Sequence, residues 1–179
     1  EEIQQQVDSI RFMMETYEDY EEFEQYLIEN EDHKVIGIDL CALTYNHHFD
    51  ELELEELTPD QYYQVGLYYY DQRKYDEALE CFRLGEECED VDCLCVLGYM
   101  YEKGQGVKQS NQVAMTYYRL ASDLGNVVAS CNLAYFYEYG IDVEQDYEKA
   151  YELYSLGLDE KFPRSLFSTA FFLQHGLGV

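Results

Sequence analysis

The chain has 179 residues, 38 of them acidic and 11 basic, for a formal charge of −27. A chain of that length can bury a sizeable core, and two prolines with no long polar tract argue against a disordered linker. The negative field disfavours nucleic acid and anionic lipid and favours basic partners, although the plainer reading of such charge is a solvated surface. No apolar run approaches the length that spans a bilayer, and no basic-then-apolar leader opens the sequence. The start at Glu1 leaves room for a removed signal or domain.

The charge is uneven: residues 1–60 hold 19 acidic and 2 basic side chains, or −17 of the total. Ile3, Val7, Ile10 and Met14 fall at helical spacing, and Tyr20, Phe23, Tyr26 and Leu27 mark a second amphipathic helix with an acidic outer face. Lys34 to Leu43 begins with β-branched residues and admits a strand. A lone strand among helices would have no ladder partner, so a helix is preferred there. Ala42 lies 36 residues before Ala78, which fits a degenerate repeat over Tyr20 to His48. Glu51 to Leu57 reads as a short acidic helix stopped ahead of Pro59, because the residue before a proline disfavours helical geometry. Residues 1–57 are therefore expected to form an acidic helical region.

Thr58-Pro59-Asp60 opens the first clear helix pair, in which Val65-Gly66-Leu67-Tyr68-Tyr69 leads to Tyr75-Asp76-Glu77-Ala78-Leu79. A longer version follows, with Leu97-Gly98-Tyr99, Tyr101-Glu102, Gly104, Gly106, Val107, Ser110, Ala114, Tyr117-Tyr118 and Ala121. Thirty-six residues on, Leu133-Ala134, Tyr137, Gly140, Val143, Asp146, Ala150 and Tyr154 take the matching places, and a third copy runs from Thr169-Ala170 to Gly176-Leu177-Gly178-Val179. A fixed period in this range signals stacked supersecondary units. Leu94, Leu97 and Tyr101 form the stripe of a first helix. Gly104 sits where a left-handed residue closes a helix, and Asp142, which tolerates that region, stands in for Gly106. Ser110 and Asp146 are N-caps for a second helix, and Val107 and Val143 read as plugs folded back between helices. A glycine within a helix costs roughly 1 kcal/mol against alanine, so Gly98 needs a packing reason. From Gly66 to Ala78 the step is 12 residues and from Gly98 to Ala114 it is 16; the four extra residues are the glycine loop.

Over roughly residues 60–179 these motifs resemble the Sel-one-like repeat family, a tetratricopeptide variant with a longer intra-repeat loop, with a plain tetratricopeptide-like pair at the start. The resemblance implies an all-α, right-handed α–α solenoid of antiparallel helix pairs, with units at about 60–91, 92–127, 128–163 and a truncated 164–179. It also implies a non-catalytic adaptor or scaffold. In tetratricopeptide-type solenoids the first helix of each unit lines a concave face. The matching offsets select Asp60, Tyr63, Leu67, Tyr70 and Asp71; Asp92, Cys95, Tyr99 and Glu102; Val128, Cys131, Tyr135 and Glu138; and Arg164, Phe167, Phe171 and Gln174. This wall is aromatic and acidic with a single basic residue, so the expected ligand is a peptide or helical segment with apolar anchors and net positive charge. Tyr101, Tyr118 and Tyr137 fall at inter-helix positions and read as filler.

Other chemistry is thin. Cys81, Cys88, Cys93 and Cys95 invite a zinc reading, but the spacing is not the paired arrangement that usually holds zinc. A cysteine-rich branch of the family staples helices through cysteines eight apart; Val96, Gly85 and Asp123 stand at those positions here, so the match fails. Small buried thiols in a reducing, cytoplasmic setting are expected instead. His47-His48 reads as a polar helix end, His33 and His175 are isolated, and Gly104-Gln105-Gly106 lacks the strand–loop–helix setting of a phosphate cradle. No enzyme activity, metal or cofactor is expected. The helix Ser165 to Gln174 presents Leu166, Phe167, Phe171, Phe172 and Leu173 with no second helix to cover it, which suggests a longer array or cover by another subunit. Two functions stay open: an interaction module using the aromatic wall, and an acidic inhibitor or immunity-type protein that occludes a basic surface through residues 15–32 and 50–56.

Overall fold

The structure, a computed structural model, describes Leu57 and residues 59–179. The acidic helical region expected over 1–57, including the helix-or-strand choice at 34–43 and His47-His48, lies outside the described residues apart from Leu57. Among the described residues there are seven helices and no strand: α1 Pro59–Asp71, α2 Tyr75–Glu87, α3 Val91–Lys103, α4 Asn111–Asp123, α5 Val127–Tyr139, α6 Tyr147–Ser155 and α7 Pro163–His175. The fold is all-α, of the helical-solenoid class. None of these helices is long and apolar enough to cross a membrane.

The register follows the sequence period. Helices α3, α5 and α7 begin at Val91, Val127 and Pro163, and α2, α4 and α6 at Tyr75, Asn111 and Tyr147, each step being 36 residues. Only α1 to α3 is shorter, at 32, because the glycine loop is missing there.

The described residues fall into two compact units divided between Asn126 and Val127. In the first, α1 packs on α2, α2 on α3 and α3 on α4. Val65, Cys81 and Leu57 form a small core flanked by Tyr62 and Tyr69. The packing reason for Gly98 is Tyr118: a Cβ there would stand 2.8 Å from two carbons of the ring. In the second unit α5 packs on α6 and α6 on α7, with Leu166 and Leu173 buried against Tyr151, Leu158 and Ala170.

Local chemistry sets the helix ends. Asp90 accepts a bond from the Cys93 N–H at 2.8 Å to open α3, Ser110 from Val113 N–H at 3.3 Å to open α4, and Asp146 from Lys149 N–H at 3.0 Å to open α6. Each such cap is worth about 1 kcal/mol. Gly104 closes α3 at φ 70°, and Gly106 at φ 67° has Asp142 at φ 53° as its counterpart. Val107 and Val143 are half-buried in their loops.

Candidate protein-binding face

The two long repeats share one cross-helix device. In α4 the Tyr118 hydroxyl donates to the Glu102 carboxylate of α3 at 2.8 Å, and in α6 the Tyr154 hydroxyl donates to Glu138 of α5 at 2.8 Å. Both phenols are buried, at 0% and 2% exposure. Burial first, then the adjacent carboxylate, raises each phenol well above its ordinary value, while Arg164 lowers that of Tyr154. The glycine loops are tied by a second matched pair: Gln109 Nε2 donates to the Glu102 carbonyl at 2.8 Å, and Gln145 Nε2 to the Glu138 carbonyl at 2.7 Å. Glu102 and Glu138, expected on the binding wall, therefore each turn one carboxylate oxygen to a phenol of the second helix.

Other expected wall residues divide by depth. Leu67, Cys95, Tyr99 and Cys131 are 3%, 2%, 0% and 0% exposed, so they are packing residues and not an accessible wall. The Cys131 thiol lies 3.2 Å from the Ser165 hydroxyl of α7. Tyr99 sits with its ring 6.5 Å from that of Tyr70. Tyr63 is half-buried beside Phe82, with ring centroids 6.5 Å apart. The half-buried Tyr70 donates to Gln105 Oε1 at 2.7 Å. Asp71 and Asp92 are exposed, and Asp92 accepts from Asn126 Nδ2 at 2.8 Å. Partial burial and the neighbouring Asp90 raise the Asp92 carboxyl, and the Asn126 bond lowers it.

The exposed aromatic residues of the expected wall belong to the second unit. Tyr135 on α5 and Phe167 and Phe171 on α7 are 38%, 40% and 40% exposed, and Tyr139, one turn beyond Tyr135, is 59% exposed. Arg164 is half-buried and donates to Asn132 Oδ1 at 2.9 Å. Of the expected filler, Tyr118 and Tyr137 are buried, and Tyr101 is half-buried and stacked on Tyr117 at 5.6 Å. Cys81, Cys93, Cys95 and Cys131 are buried free thiols and Cys88 is exposed. Burial pushes the Cys81 thiol up to about 12. Among the described residues no three His, Cys, Asp or Glu side chains converge as a metal site.

The family model for the Sel1 repeat matches residues 91–126 and 127–160. Residues 91–160 are thus similar to two Sel1 repeats, a match over less than half of the chain. In solved structures the fold recurs in a Sel1 repeat protein from Oxalobacter formigenes, 23% identical with a TM-score of 0.62 over 64% of this chain and 47% of that one. It recurs also in a protective antigen of uropathogenic Escherichia coli strains that displays an SLR fold, 23% identical with a TM-score of 0.62 over 69% of this chain. The present chain spans 47% of the first of these proteins and 27% of the second. Comparison with curated proteins finds no match. Sel1 repeats generally act as protein–protein interaction modules, and the family is generally one of non-catalytic scaffolds.

Sequence spacing alone does not pick out the tyrosine–glutamate pairing as a contact, nor Tyr139 as exposed. A signal for the first was present: Tyr118 and Glu102 recur together as Tyr154 and Glu138 after 36 residues. The glycine loop also docks on the preceding helix pair. A Cβ on Gly106 would stand 2.9 Å from the Tyr75 carbonyl oxygen, and one on Gly178 would collide with the matching Tyr147 carbonyl.

Proposed function

We propose that this chain is a non-catalytic interaction module that captures a peptide or helical segment with apolar and basic residues on the exposed aromatic faces of α5 and α7. The carrying observation is the exposure of Tyr135, Tyr139, Phe167 and Phe171 on α5 and α7, while the second-helix aromatics Phe82, Tyr118 and Tyr154 are spent inside. Aromatic side chains offer large contact area at low rotamer cost and are the usual anchors of interfaces. The net charge of −27 adds a preference for basic partners.

Affinity capture with the intact chain tests this reading. Phe167→Ala with Phe171→Ala is expected to abolish capture, whereas Leu156→Ala, at an exposed apolar residue just past the end of α6, leaves it intact. The second reading, polyanion mimicry, draws on the −17 carried by residues 1–60. It is favoured instead if capture survives the α7 substitutions and collapses with added salt, since screening acts most on exposed charge.

A further inference from the structure

The first helices carry a paired position whose chemistry changes from repeat to repeat. In α3 the ammonium of Lys103 stands 5.5 Å from the centroid of Tyr99, four residues earlier. In α7 the matching residues are Phe171 and His175, with ring centroids 4.2 Å apart, and His175 is fixed there by Nδ1 donating to the Phe171 carbonyl at 2.8 Å. In α5 the matching residues are Tyr135 and Tyr139, with centroids 4.6 Å apart and planes inclined by 42°. Where its counterparts bring a lysine or an imidazole to the ring, α5 brings a second ring. Both rings are open to solvent.

We propose that Tyr135 and Tyr139 form a two-ring subsite for a lysine side chain of the bound segment, with the Glu138 carboxylate beside it as counter-charge. The proposal rests on the interaction-module reading above and names the chemistry of one of its contacts. The π face of tyrosine attracts an ammonium group. Among the described residues that contact is already made by Lys74, Lys103 and Lys149, at 5.6, 5.5 and 4.6 Å from the rings of Tyr69, Tyr99 and Tyr137. Glu138 accepts the Tyr154 hydroxyl at 2.8 Å, which holds its carboxylate in place next to Tyr139 in the chain. The nearby cation, Arg164, is directed to Asn132. The occupant is argued from this complementarity: a net charge of −27 draws basic segments in, and the missing partner of the α5 rings, judged by the α3 pair, is an ammonium.

The test uses the intact chain and a short amphipathic helical peptide of leucine and lysine, in parallel with the same peptide acetylated on every lysine, by isothermal titration calorimetry. The lysine peptide is expected to bind about threefold to thirtyfold more tightly than the acetylated one. Tyr139→Leu, which keeps apolar area and removes the ring, and Tyr139→Lys, which restores the α3 arrangement in cis, should both lower that ratio to what the net charge alone gives while leaving the acetylated peptide's affinity unchanged. A ratio that persists in both variants overturns the subsite and assigns lysine preference to the general negative field, leaving the interaction-module reading in place. If neither peptide binds the unmodified chain, the aromatic face is not a peptide site and both readings fall.

Discussion

In the α1/α2 pair the ring of Phe82 lies on Gly66, and the residue four beyond that glycine is Tyr70. In the α3/α4 pair the ring is Tyr118 on Gly98, and the residue four beyond is Glu102. The helix pair is the same scaffold in both, but the contact across it is apolar in the first and hydrogen-bonded in the second. Two changes travel together: the phenol oxygen comes with a carboxylate to receive it, and the added glycine loop comes with Gly106 seated on Tyr75. Tyr70, having no carboxylate to offer, turns its hydroxyl to Gln105 of that loop, and so joins the shorter pair to the longer one. A buried polar group is tolerated only when its partner arrives with it, which is why a repeat carries either Phe with Tyr or Tyr with Glu.

The largest expected effect breaks the shared part of the comparison. Gly98→Val places carbon where a Cβ alone would be 2.8 Å from the Tyr118 ring and 3.2 Å from the Ala114 carbonyl, and should cost about 3 kcal/mol in urea unfolding. Ala134 holds the matching place in the next repeat, so Ala134→Gly should cost only about 1 kcal/mol. A loss from Gly98→Val no greater than that of Ala134→Gly would mean that the ring yields freely.

Next comes the part that differs. Tyr118→Phe installs the chemistry of Phe82 and leaves Glu102 without its buried donor, for an expected loss of about 1.5–3 kcal/mol. Adding Glu102→Tyr, to recreate the Phe82 and Tyr70 set, should recover part of it; strict additivity in the double-mutant cycle would show that the pair is not a unit. The same contact has a pH signature. Burial and Glu102 raise the Tyr118 phenol above its ordinary 10.0, so the folded state holds its proton more tightly than the unfolded chain. The stability tied to that proton is full below 10.0 and is lost as pH rises towards the folded value. Urea midpoints should fall in alkaline solution, less steeply for Tyr118→Phe.

The repeat register, the loop glycines and the caps Ser110 and Asp146 were legible because each is set by a residue's own backbone chemistry and recurs at 36. Depth was not. The family offsets place Tyr99, Tyr135 and Phe171 at one position of three helices, yet Tyr99 is 0% exposed and the other two 38% and 40%. Exposure depends on what lies across from a side chain, and the helical period carries no information about that. Glu102 was misjudged for the same reason: its partner lies 16 residues away and is fixed by the direction of a ring.

A smaller effect separates the third copy from the first two. Thr169 stands where Leu97 and Leu133 stand, and is 0% exposed with its hydroxyl unpaired among the described residues. Thr169→Val keeps the shape and removes the orphaned oxygen, for an expected gain of about 1 kcal/mol. An unchanged or lower melting temperature would mean that the hydroxyl is satisfied after all.

The smallest effect concerns the turn that ends each second-helix segment. Residues 89, 125 and 161 repeat one hydrogen-bond pattern: Glu89 N–H to Glu86 at 2.9 Å, Gly125 to Ser122 at 2.9 Å and Lys161 to Leu158 at 3.0 Å, with the following N–H reaching Gly85, Ala121 and Gly157 respectively. All three residues are left-handed, at φ 59°, 94° and 54°, yet only one is glycine. A side chain in that region costs about 1–2 kcal/mol, while glycine gives back part of the difference through the larger entropy of its unfolded state. Lys161→Gly should therefore stabilise by a few tenths to about 1 kcal/mol. The reverse change isolates the backbone contribution: a Cβ on Gly125 meets nothing within 4 Å, so Gly125→Ala is destabilising through φ alone and by a similar amount. Opposite signs at the two sites, with matched magnitudes, would show that the three turns share one geometry and differ only in how well their residue suits it; a gain from Gly125→Ala would overturn that equivalence.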